Sequence, residues 1–361
     1  MRARRIFVDF EPYDWEPSNE QIAEQVGIKA DKIMRFDTNT SPYIPSSLLR
    51  ELKNGLESLP LNRYPDTSYS MLRKKLASYN KCSPANIMVS NGADESLDII
   101  VKTFVDGDSE VILSVPTYSY YPVLVRLMAG KVKQIRRNKE FSDNFVAIKN
   151  AIGKNTSLVI LCSPNNPTGS LVEPKGLKGL LETDCVFIID EAYYEFSGKT
   201  LAGLTKSYDN LIIVRTFSKA FSLAGLRVGY TIASEKTTSL LNLVRPPNSV
   251  GVIPLKLAEI ALDNAKLMKE NVSKMLAERN RCIAELDKIR GIEALPTSAN
   301  FMLVRFAKHT GLEVCRKLAK MGLVVRDVSK LPSLRQCIRF SVGKPEENNA
   351  LLNAIREIAK G

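Results

Sequence analysis

The sequence predicts an α/β fold made of a large domain, a smaller α+β domain and an N-terminal arm. Short apolar runs alternate with helical patterns from Leu48 to about Leu243, and this rhythm is typical of a mainly parallel sheet sandwiched by helices. The pattern breaks at Arg245-Pro-Pro-Asn248, and 361 residues fit one large or two small domains. We therefore predict an arm at 1–47, a large domain at 48–245 and a small C-terminal domain at 246–361.

The arm is rich in Pro, Asn, Ser and Asp, as in Glu11-Pro-Tyr-Asp-Trp-Glu-Pro17. These residue types favour turns and extended chain over packed elements. We predict an extended segment with at most one short helix, near residues 19–27.

Six runs of the large domain are predicted as strands, because each is short, apolar and bounded by polar or turn-forming residues. They are Ile87–Ser90, Glu110–Val115, 157–162, 185–189, 211–215 and 228–233. Apolar residues at helical spacing follow the first two runs and predict helices at 96–104 and 121–129.

The small domain begins with a long helical pattern, which predicts one helical tract over residues 254–289. The remaining elements are predicted in the order strand, helix, strand, strand, helix, at 300–305, 312–321, 323–326, 337–342 and 346–359.

Residue counts exclude several classes of function. Histidine occurs once, at His309, which we interpret as an exposed loop residue, so a Ser-His-Asp hydrolase lacks a base. The six cysteines lie far apart without a Cys-x-x-Cys pair, which is typical of a reducing compartment and offers too few ligands for the usual zinc site. No apolar run reaches the roughly 18 residues of a membrane helix, and the basic start lacks the apolar core of a signal peptide. We predict a cytoplasmic protein without membrane association.

The charge is strongly positive, since 51 Lys and Arg face 39 Asp and Glu for a net +12. A basic protein can bind nucleic acid, but a basic field also attracts anionic small molecules. The basic residues are spread through the chain and no nucleic-acid motif is present, so we predict a small-molecule partner and no nucleic acid.

Polar residues follow five predicted strands, at the sheet edge where ligands bind in open α/β folds. Asn91-Gly-Ala-Asp-Glu95 begins a helix whose free N–H groups can bind a phosphate, although an ordinary strand-to-helix turn has the same sequence. Pro116-Thr-Tyr-Ser-Tyr-Tyr-Pro122 offers either a stacking ring or core tyrosines. Ser163-Pro-Asn-Asn-Pro-Thr-Gly169 carries two side-chain amides that turn chemistry explains less well than its Pro and Gly.

The other two strand ends carry charge. Asp190 ends a fully apolar strand, and burial of its carboxylate there is unfavourable unless it meets a cation. That cation can belong to a functional site or to a structural salt bridge. Lys219 lies among hydroxyl and small residues, the context of a Schiff-base nucleophile, whereas an isolated lysine is usually a surface residue. Together the five groups match the needs of pyridoxal 5′-phosphate: an imine lysine, an acid for the ring nitrogen, donors for the ring hydroxyl, an aromatic for the ring face, and N–H groups with an arginine for the phosphate.

At this point the chain resembles the aspartate-aminotransferase-like (fold type I) pyridoxal-phosphate enzymes over almost its whole length. The resemblance rests on Ser163-Pro-Asn-Asn-Pro-Thr-Gly169, Asp190-Glu-Ala-Tyr193, Ser218-Lys219 and Arg227-Val-Gly229, in that order and spacing. It implies a large cofactor-binding domain and an arm that packs with the small domain and the partner subunit.

The resemblance also implies a role for each matching residue. Lys219 is the residue that forms the Schiff base and shuttles the proton, Asp190 pairs with the pyridine nitrogen, and Asn166 and Tyr193 bind the ring hydroxyl. Tyr118 is implied to stack on the cofactor ring. The residues implied to bind the phosphate are Ala93, Asp94, Thr216, Ser218 and Arg227. Tyr64, in Asn62-Arg-Tyr-Pro-Asp66, is implied to reach the cofactor phosphate of the partner subunit, in a homodimer with shared sites.

Within that superfamily the chain looks most like the histidinol-phosphate aminotransferase family, through Arg63-Tyr-Pro-Asp66, Val324-Val-Arg-Asp327 and Cys337-Ile-Arg-Phe-Ser-Val-Gly343. This implies Arg339 for the substrate carboxylate, Arg326 for the substrate phosphate and Tyr43 as a substrate-side aromatic, with 2-oxoglutarate and glutamate as the other substrate pair. The arm departs from the family motif Asn-Glu-Asn-Pro-Tyr-Gly-Pro, since it reads Asn39-Thr-Ser-Pro-Tyr-Ile-Pro45.

Other functions use nearly the same residues. They are an aromatic or broad-range aminotransferase and a threonine-phosphate decarboxylase. A non-catalytic regulator with an aminotransferase-like domain normally adds a helix-turn-helix module, for which the Pro-rich arm leaves no room.

Overall fold

Three sheets organise the chain, which is described here by a computed structural model covering residues 3–8 and 10–360. Residues 1, 2 and 9 of the predicted arm and Gly361 lie outside the described residues. In chain order the strands are β1 (Met34–Arg35), β2 (Ile87–Ser90), β3 (Glu110–Val115), β4 (Lys131–Arg136), β5 (Thr156–Cys162), β6 (Val186–Asp190), β7 (Leu211–Thr216), β8 (Gly229–Ile232), β9 (Ile292–Ala294), β10 (Phe301–Phe306), β11 (Leu323–Val324), β12 (Arg326–Asp327) and β13 (Cys337–Ser341).

The α-helices alternate with these strands through the first two thirds of the chain. They are α1 (Asn19–Val26), α2 (Ser46–Gly55), α3 (Ser70–Asn80), α4 (Gly92–Phe104), α5 (Tyr121–Leu127), α6 (Phe145–Ala151), α7 (Pro174–Leu181), α8 (Tyr194–Ser197), α9 (Glu235–Val244), α10 (Val252–Asp263), α11 (Ala265–Leu286), α12 (Gly311–Lys320) and α13 (Pro345–Lys360).

The largest sheet has seven strands in the order β2-β8-β7-β6-β5-β3-β4, and only β8 runs antiparallel to its neighbours. Its central strands are apolar on both faces: Ile188 and Ile189 of β6 are fully buried and belong to separate apolar clusters. Because successive side chains of a strand point to opposite faces, helices must cover both sides of the sheet. The predicted α/β fold with a mainly parallel sheet is confirmed.

The edge strand β4 did not appear among the predicted strands. Lys131–Arg136 alternates charged and apolar residues and is mostly exposed, unlike the apolar runs on which the prediction rested. Its charged side chains protect the open edge of the sheet against pairing with another chain.

A four-stranded antiparallel sheet, β12-β13-β10-β9, organises the C-terminal part, and β1 of the arm pairs in parallel with β11. The prediction of one strand over 323–326 is wrong, because β11 and β12 belong to different sheets with Val325 buried between them. The sequence-based boundaries of the three domains stay predictions.

The prediction of one helical tract over 254–289 is also wrong, since α10 and α11 are separate helices with Asn264 between them. The Asn264 side chain donates to the Ile260 carbonyl at 2.9 Å and to Glu51 at 3.1 Å. Such side-chain bonds compete with the helix for backbone partners.

Two smaller predictions concern the arm helix and the histidine. The short arm helix is confirmed as α1, which begins with a capping box between Ser18 and Gln21 and ends at Gly27 in the left-handed region. His309 is half-buried rather than exposed, and its Nε2 lies 3.2 Å from the Ile358 carbonyl. Within the part of the chain that the structure describes, none of the helices has the length and apolar character to cross a membrane.

Candidate active site

A cavity of about 520 Å³ opens at the carboxyl ends of the parallel strands. It is the place where ligands bind in open α/β sheets. The predicted site residues that line it come from five loops of the large sheet and from the small sheet: Ala93, Asp94, Tyr118, Asn166, Asp190, Tyr193, Thr216, Ser218, Lys219, Arg227 and Arg339.

Asp190 ends β6 as a buried carboxylate at the base of this cavity. Burial raises its pKa to about 6, although hydrogen bonds from the Tyr121 hydroxyl at 2.7 Å and the Ala192 amide at 3.0 Å act in the other direction. A buried carboxylate that faces a cavity is stabilised by a cation, so this position favours a positively charged ligand group.

Lys219 follows β7 and lines the same cavity. Burial, aided by the nearby Arg339 charge, lowers the pKa of Lys219 to about 8. Its Nζ donates a hydrogen bond to the Thr38 carbonyl at 2.9 Å. A lysine with a lowered pKa has a larger neutral fraction near neutral pH, which makes its amine a nucleophile.

Arg339 of β13 connects the small sheet to the cavity. It donates to the Asn166 side-chain oxygen at 2.7 Å and to the Asp37 carbonyl. Its buried Nε has no hydrogen-bond partner among the described residues, and an unpaired buried donor is costly unless a ligand satisfies it. Because Asn166 accepts through its oxygen, its amide nitrogen can donate to another group.

The Tyr193 hydroxyl lies in this polar group, and Asn39 of the arm donates to it at 3.0 Å. A hydroxyl that accepts one bond still has its own hydrogen to donate. Burial raises the pKa of Tyr193, so the phenol stays protonated at neutral pH.

The N-terminus of α4 forms the second end of the cavity. The Arg227 side chain lies against Gly92, since a Cβ there would come within 2.7 Å of its guanidinium. Arg227 also contacts Asp94 at 2.9 Å and the Ser218 hydroxyl at 3.4 Å. The Thr216 hydroxyl completes the group with a 2.9 Å bond to Ser218.

Gly229 is required by this arrangement. A Cβ on Gly229 would lie 2.4 Å from the carbonyl carbon of Gly92 and 2.6 Å from the amide nitrogen of Ala93. The glycine therefore allows β8 to approach the start of α4. Free helix N–H groups, an arginine and two hydroxyls make this end of the cavity a suitable site for a phosphate.

Tyr118 forms an aromatic wall of the cavity, with its ring perpendicular to that of Tyr121 at 5.4 Å and edge-on to Tyr13 of the arm at 6.2 Å. Tyr121 itself is fully buried. Of the tyrosines in this loop, Tyr118 and Tyr120 thus face the cavity and Tyr121 supports Asp190.

Three predicted site residues do not line the cavity. Tyr64 is 85% exposed on the protein surface. Tyr43 lines a neighbouring pocket, with the Lys274 amine 5.7 Å from its ring centre. Arg326 lines another pocket, which shares Trp15 and Asp37 with the cavity, and it is bound to Glu16 of the arm at 2.9 Å.

The arm contributes residues that the sequence prediction missed: Tyr13, Trp15 and Glu16, and then Asp37, Thr38, Asn39 and Thr40. Their contacts join residues more than 100 positions apart in the chain, such as Asn39 with Tyr193. Local periodicity carries no signal of such contacts; only the polar, Pro-rich composition marked the arm as unusual.

Comparison with known proteins decides the family. Residues 31–355 match the family model of aminotransferase class I and II. The chain belongs to this aminotransferase family. The resemblance to fold type I aminotransferases and the prediction of an enzyme are thereby confirmed.

Individual relatives of this aminotransferase cover nearly its whole length. It is 34% identical to a histidinol-phosphate aminotransferase of Caldanaerobacter subterraneus subsp. tengcongensis, over 90% of this chain and 92% of the relative. It is also 34% identical to one of Methanocaldococcus jannaschii, over 99% and 97%. A solved histidinol-phosphate aminotransferase of Sinorhizobium meliloti, in complex with pyridoxal-5′-phosphate, superposes with a TM-score of 0.87 at 25% identity and covers 99% of this chain and 98% of that one.

Proposed function

We propose that this aminotransferase uses pyridoxal 5′-phosphate, bound covalently to Lys219, to move an amino group between histidinol phosphate and 2-oxoglutarate. The observation that carries the proposal is the convergence of Lys219 and Asp190 in one cavity, with an amine of lowered pKa and a carboxylate of raised pKa. The solved histidinol-phosphate aminotransferase of Sinorhizobium meliloti holds this cofactor, which also supports the proposal.

The cavity residues fit the cofactor at both of its ends. Gly92 and Gly229 allow the Arg227 side chain and β8 to approach the start of α4, and this close packing brings the α4 N–H groups, Arg227, Ser218 and Thr216 to one end of the cavity, where they suit a phosphate. The Asp94 carboxylate pairs with Arg227, so its backbone N–H is the group offered to the phosphate. At the other end, Asp190 suits a protonated ring nitrogen.

When bound, the cofactor supplies an electron-withdrawing ring that stabilises negative charge on the substrate α-carbon. The residues of the chain supply the rest. The Asp190 carboxylate would hold the ring-nitrogen proton, the Asn166 amide and the Tyr193 hydroxyl would donate to the ring hydroxyl, and Tyr118 would cover the ring face. The Lys219 amine would act as the general base that takes the proton from the substrate α-carbon and then as the general acid that gives it up again, a role that a pKa of about 8 suits near neutral pH.

The substrate preference rests on two arginines. Arg326 and Arg339 stand directly opposite each other on β12 and β13, and like charges in that position repel unless anions neutralise them. We infer that Arg339 binds the amino-acid carboxylate or its equivalent, and that Arg326 binds the phosphate of histidinol phosphate or the side-chain carboxylate of glutamate.

We also propose a homodimer in which each cofactor site is shared. Residues 44–71 expose several large apolar side chains, and Tyr64 lies among them. Exposed apolar side chains clustered in one segment are typical of a protein interface. The six free cysteines support a reducing, cytoplasmic location.

A substrate panel tests the proposed function directly. Purified enzyme is assayed with histidinol phosphate, phenylalanine, tyrosine and threonine phosphate, each with 2-oxoglutarate. The expected result is the highest kcat/KM for histidinol phosphate; preference for an aromatic amino acid, or decarboxylation of threonine phosphate, would support the corresponding alternative. Borohydride reduction should attach the pyridoxyl mass to the Lys219 peptide, and a label on another lysine would refute the cofactor assignment.

A further inference from the structure

The arm segment Tyr13–Glu16 borders the active-site cavity, since Tyr13, Trp15 and Glu16 line it. The Tyr13 ring packs edge-on against Tyr118 at 6.2 Å and Tyr120 at 5.6 Å. These contacts join the arm to the aromatic wall of the cavity. A substrate side chain that reaches this aromatic wall therefore also meets the arm segment.

The same segment binds Arg326 from several sides. The Glu16 carboxylate accepts a hydrogen bond from Arg326 at 2.9 Å, and the Asp14 carbonyl accepts a second at 3.2 Å. The Arg326 guanidinium also lies 5.8 Å from the centre of the Tyr13 ring, whose hydroxyl donates to Glu16 at 3.2 Å. The side chains of Arg326 and Glu16 are only 18% and 29% exposed.

The charge around Arg326 explains why an anion is needed there. Arg339 stands opposite it in the sheet, and the pKa of Arg339 is lowered by burial and by the positive charge of Arg326. Asp37, the other acid near this pair, is bound to Arg35 at 2.6 Å. Asp327, the next residue of β12, accepts from the Ser329 amide at 2.8 Å, so among the described residues the ion pair of Arg326 is the one with Glu16.

We propose that Glu16 is a specificity-determining residue, a resident anion on Arg326 that an anionic substrate group displaces and an uncharged side chain leaves in place. This inference rests on the proposed function, in which Arg326 binds the phosphate or side-chain carboxylate of the substrate. It explains how one site accepts substrates whose side chains differ in charge.

Opposite effects on two substrate classes follow from this role. A phosphate or carboxylate must break the Glu16–Arg326 pair before it binds, so Glu16 weakens the binding of these substrates. An aromatic side chain without charge desolvates Arg326 further. Because Glu16 keeps the guanidinium neutralised, Glu16 strengthens the binding of aromatic substrates.

The test is steady-state kinetics of Glu16→Gln with histidinol phosphate, glutamate and phenylalanine. We expect KM to fall about two- to fivefold for the two anionic substrates and to rise by a similar factor for phenylalanine, the range of an exposed or half-buried ion pair. Glu11→Gln is the matched control: Glu11 also ties the arm to the body of the protein, through Arg126 at 2.9 Å, but away from Arg326, so we expect no such divergence.

The two hypotheses fail in different ways. If Glu16 only holds the arm in place, Glu16→Gln raises KM for all three substrates, which would overturn this inference while the proposed function stands. If wild-type enzyme transfers no amino group from histidinol phosphate, or if Arg326→Ala leaves its KM unchanged, the proposed function itself fails.

Discussion

Tyr121 donates its hydroxyl hydrogen to the Asp190 carboxylate at 2.7 Å, although the two residues lie 69 positions apart. The bond is buried, and it opposes the effect of burial on the pKa of Asp190. Tyr121 therefore helps to keep the acid ionised at the base of the cavity, and it links the start of α5 to the end of β6.

Tyr121→Phe should weaken cofactor binding in a pH-dependent way. A lost hydrogen bond to a charged group amounts to roughly 1.5–3 kcal/mol, so the pKa of Asp190 rises further above about 6. Because the ionised acid is the binding form, the acid limit of tight cofactor binding moves to higher pH. Absorbance titrations across pH 5–8 measure it, with Tyr120→Phe as the control. An unchanged acid limit would show that the bond does not support Asp190.

Asp190→Asn should make the cofactor-free protein more stable at pH 8 and remove most of the activity. Its pKa in the folded protein, about 6, lies above the ordinary value of 3.8 for an aspartate, so the folded state holds this proton more tightly and loses stability as the pH rises from about 3.8 through 6. The amide has no such charge, and it cannot hold the ring-nitrogen proton. Melting temperatures of cofactor-free protein at pH 5 and pH 8 check the sign: the variant should gain more stability over wild type at pH 8 than at pH 5, because at pH 5 the carboxyl of wild type is still largely protonated in the folded state. An equal difference at both pH values, or near-normal turnover, would contradict it.

The sequence allowed the prediction of the residues that follow apolar strands. Asp190 and Lys219 could be identified because β6 and β7 are short apolar runs whose ends point to one edge of a parallel sheet. Glu16 and Asn39 could not, because they reach the cavity through an extended arm whose contacts depend on the folded body of the protein. The strand β4 could not be predicted either, because its alternating charged and apolar residues do not resemble the apolar run of a buried strand.

Gly229→Ala should lower both stability and cofactor affinity. The new Cβ would overlap the backbone of Gly92 and Ala93, and backbone shifts of this kind cost about 1–3 kcal/mol. Since the displaced residues begin α4, the proposed phosphate end of the site would be disturbed. Gly225→Ala is the control, because a Cβ there has no atom within 4 Å. Equal melting temperatures and cofactor affinities in the two variants would show that the close approach is dispensable.

Co-expression of two inactive or weakened variants tests the shared site. Tyr64 is 85% exposed and outside the cavity of its own chain, so in the proposed dimer Tyr64→Ala damages the partner's site. When the Tyr64→Ala and Lys219→Ala chains are co-expressed, each heterodimer should have one intact site, formed by Lys219 of one chain and Tyr64 of the other. Its activity should therefore exceed the mean activity of the two variant homodimers. Lys219→Ala with Asp190→Asn is the control, since both residues line one cavity and neither heterodimer site is intact. No gain in the first pair would contradict shared sites.

Arg326→Ala is the variant that separates phosphorylated from unphosphorylated substrates. Transamination alternates two substrates in one site, and a guanidinium can make paired hydrogen bonds to either a phosphate or a carboxylate. Arg326 stands opposite Arg339 in the small sheet, where an anion relieves the repulsion of the two charges. Loss of one charge-assisted contact amounts to roughly 1.5–3 kcal/mol, so KM for histidinol phosphate should rise about 10- to 100-fold. The KM for phenylalanine should change far less, because its side chain offers no anion.

The control is Arg316→Ala, which removes an exposed arginine of α12 and should alter neither the KM for histidinol phosphate nor the KM for phenylalanine. A similar rise for both substrates would mean that Arg326 maintains the fold of the site, and a wild-type preference for phenylalanine or tyrosine would assign the enzyme to aromatic substrates and Arg326 to another role.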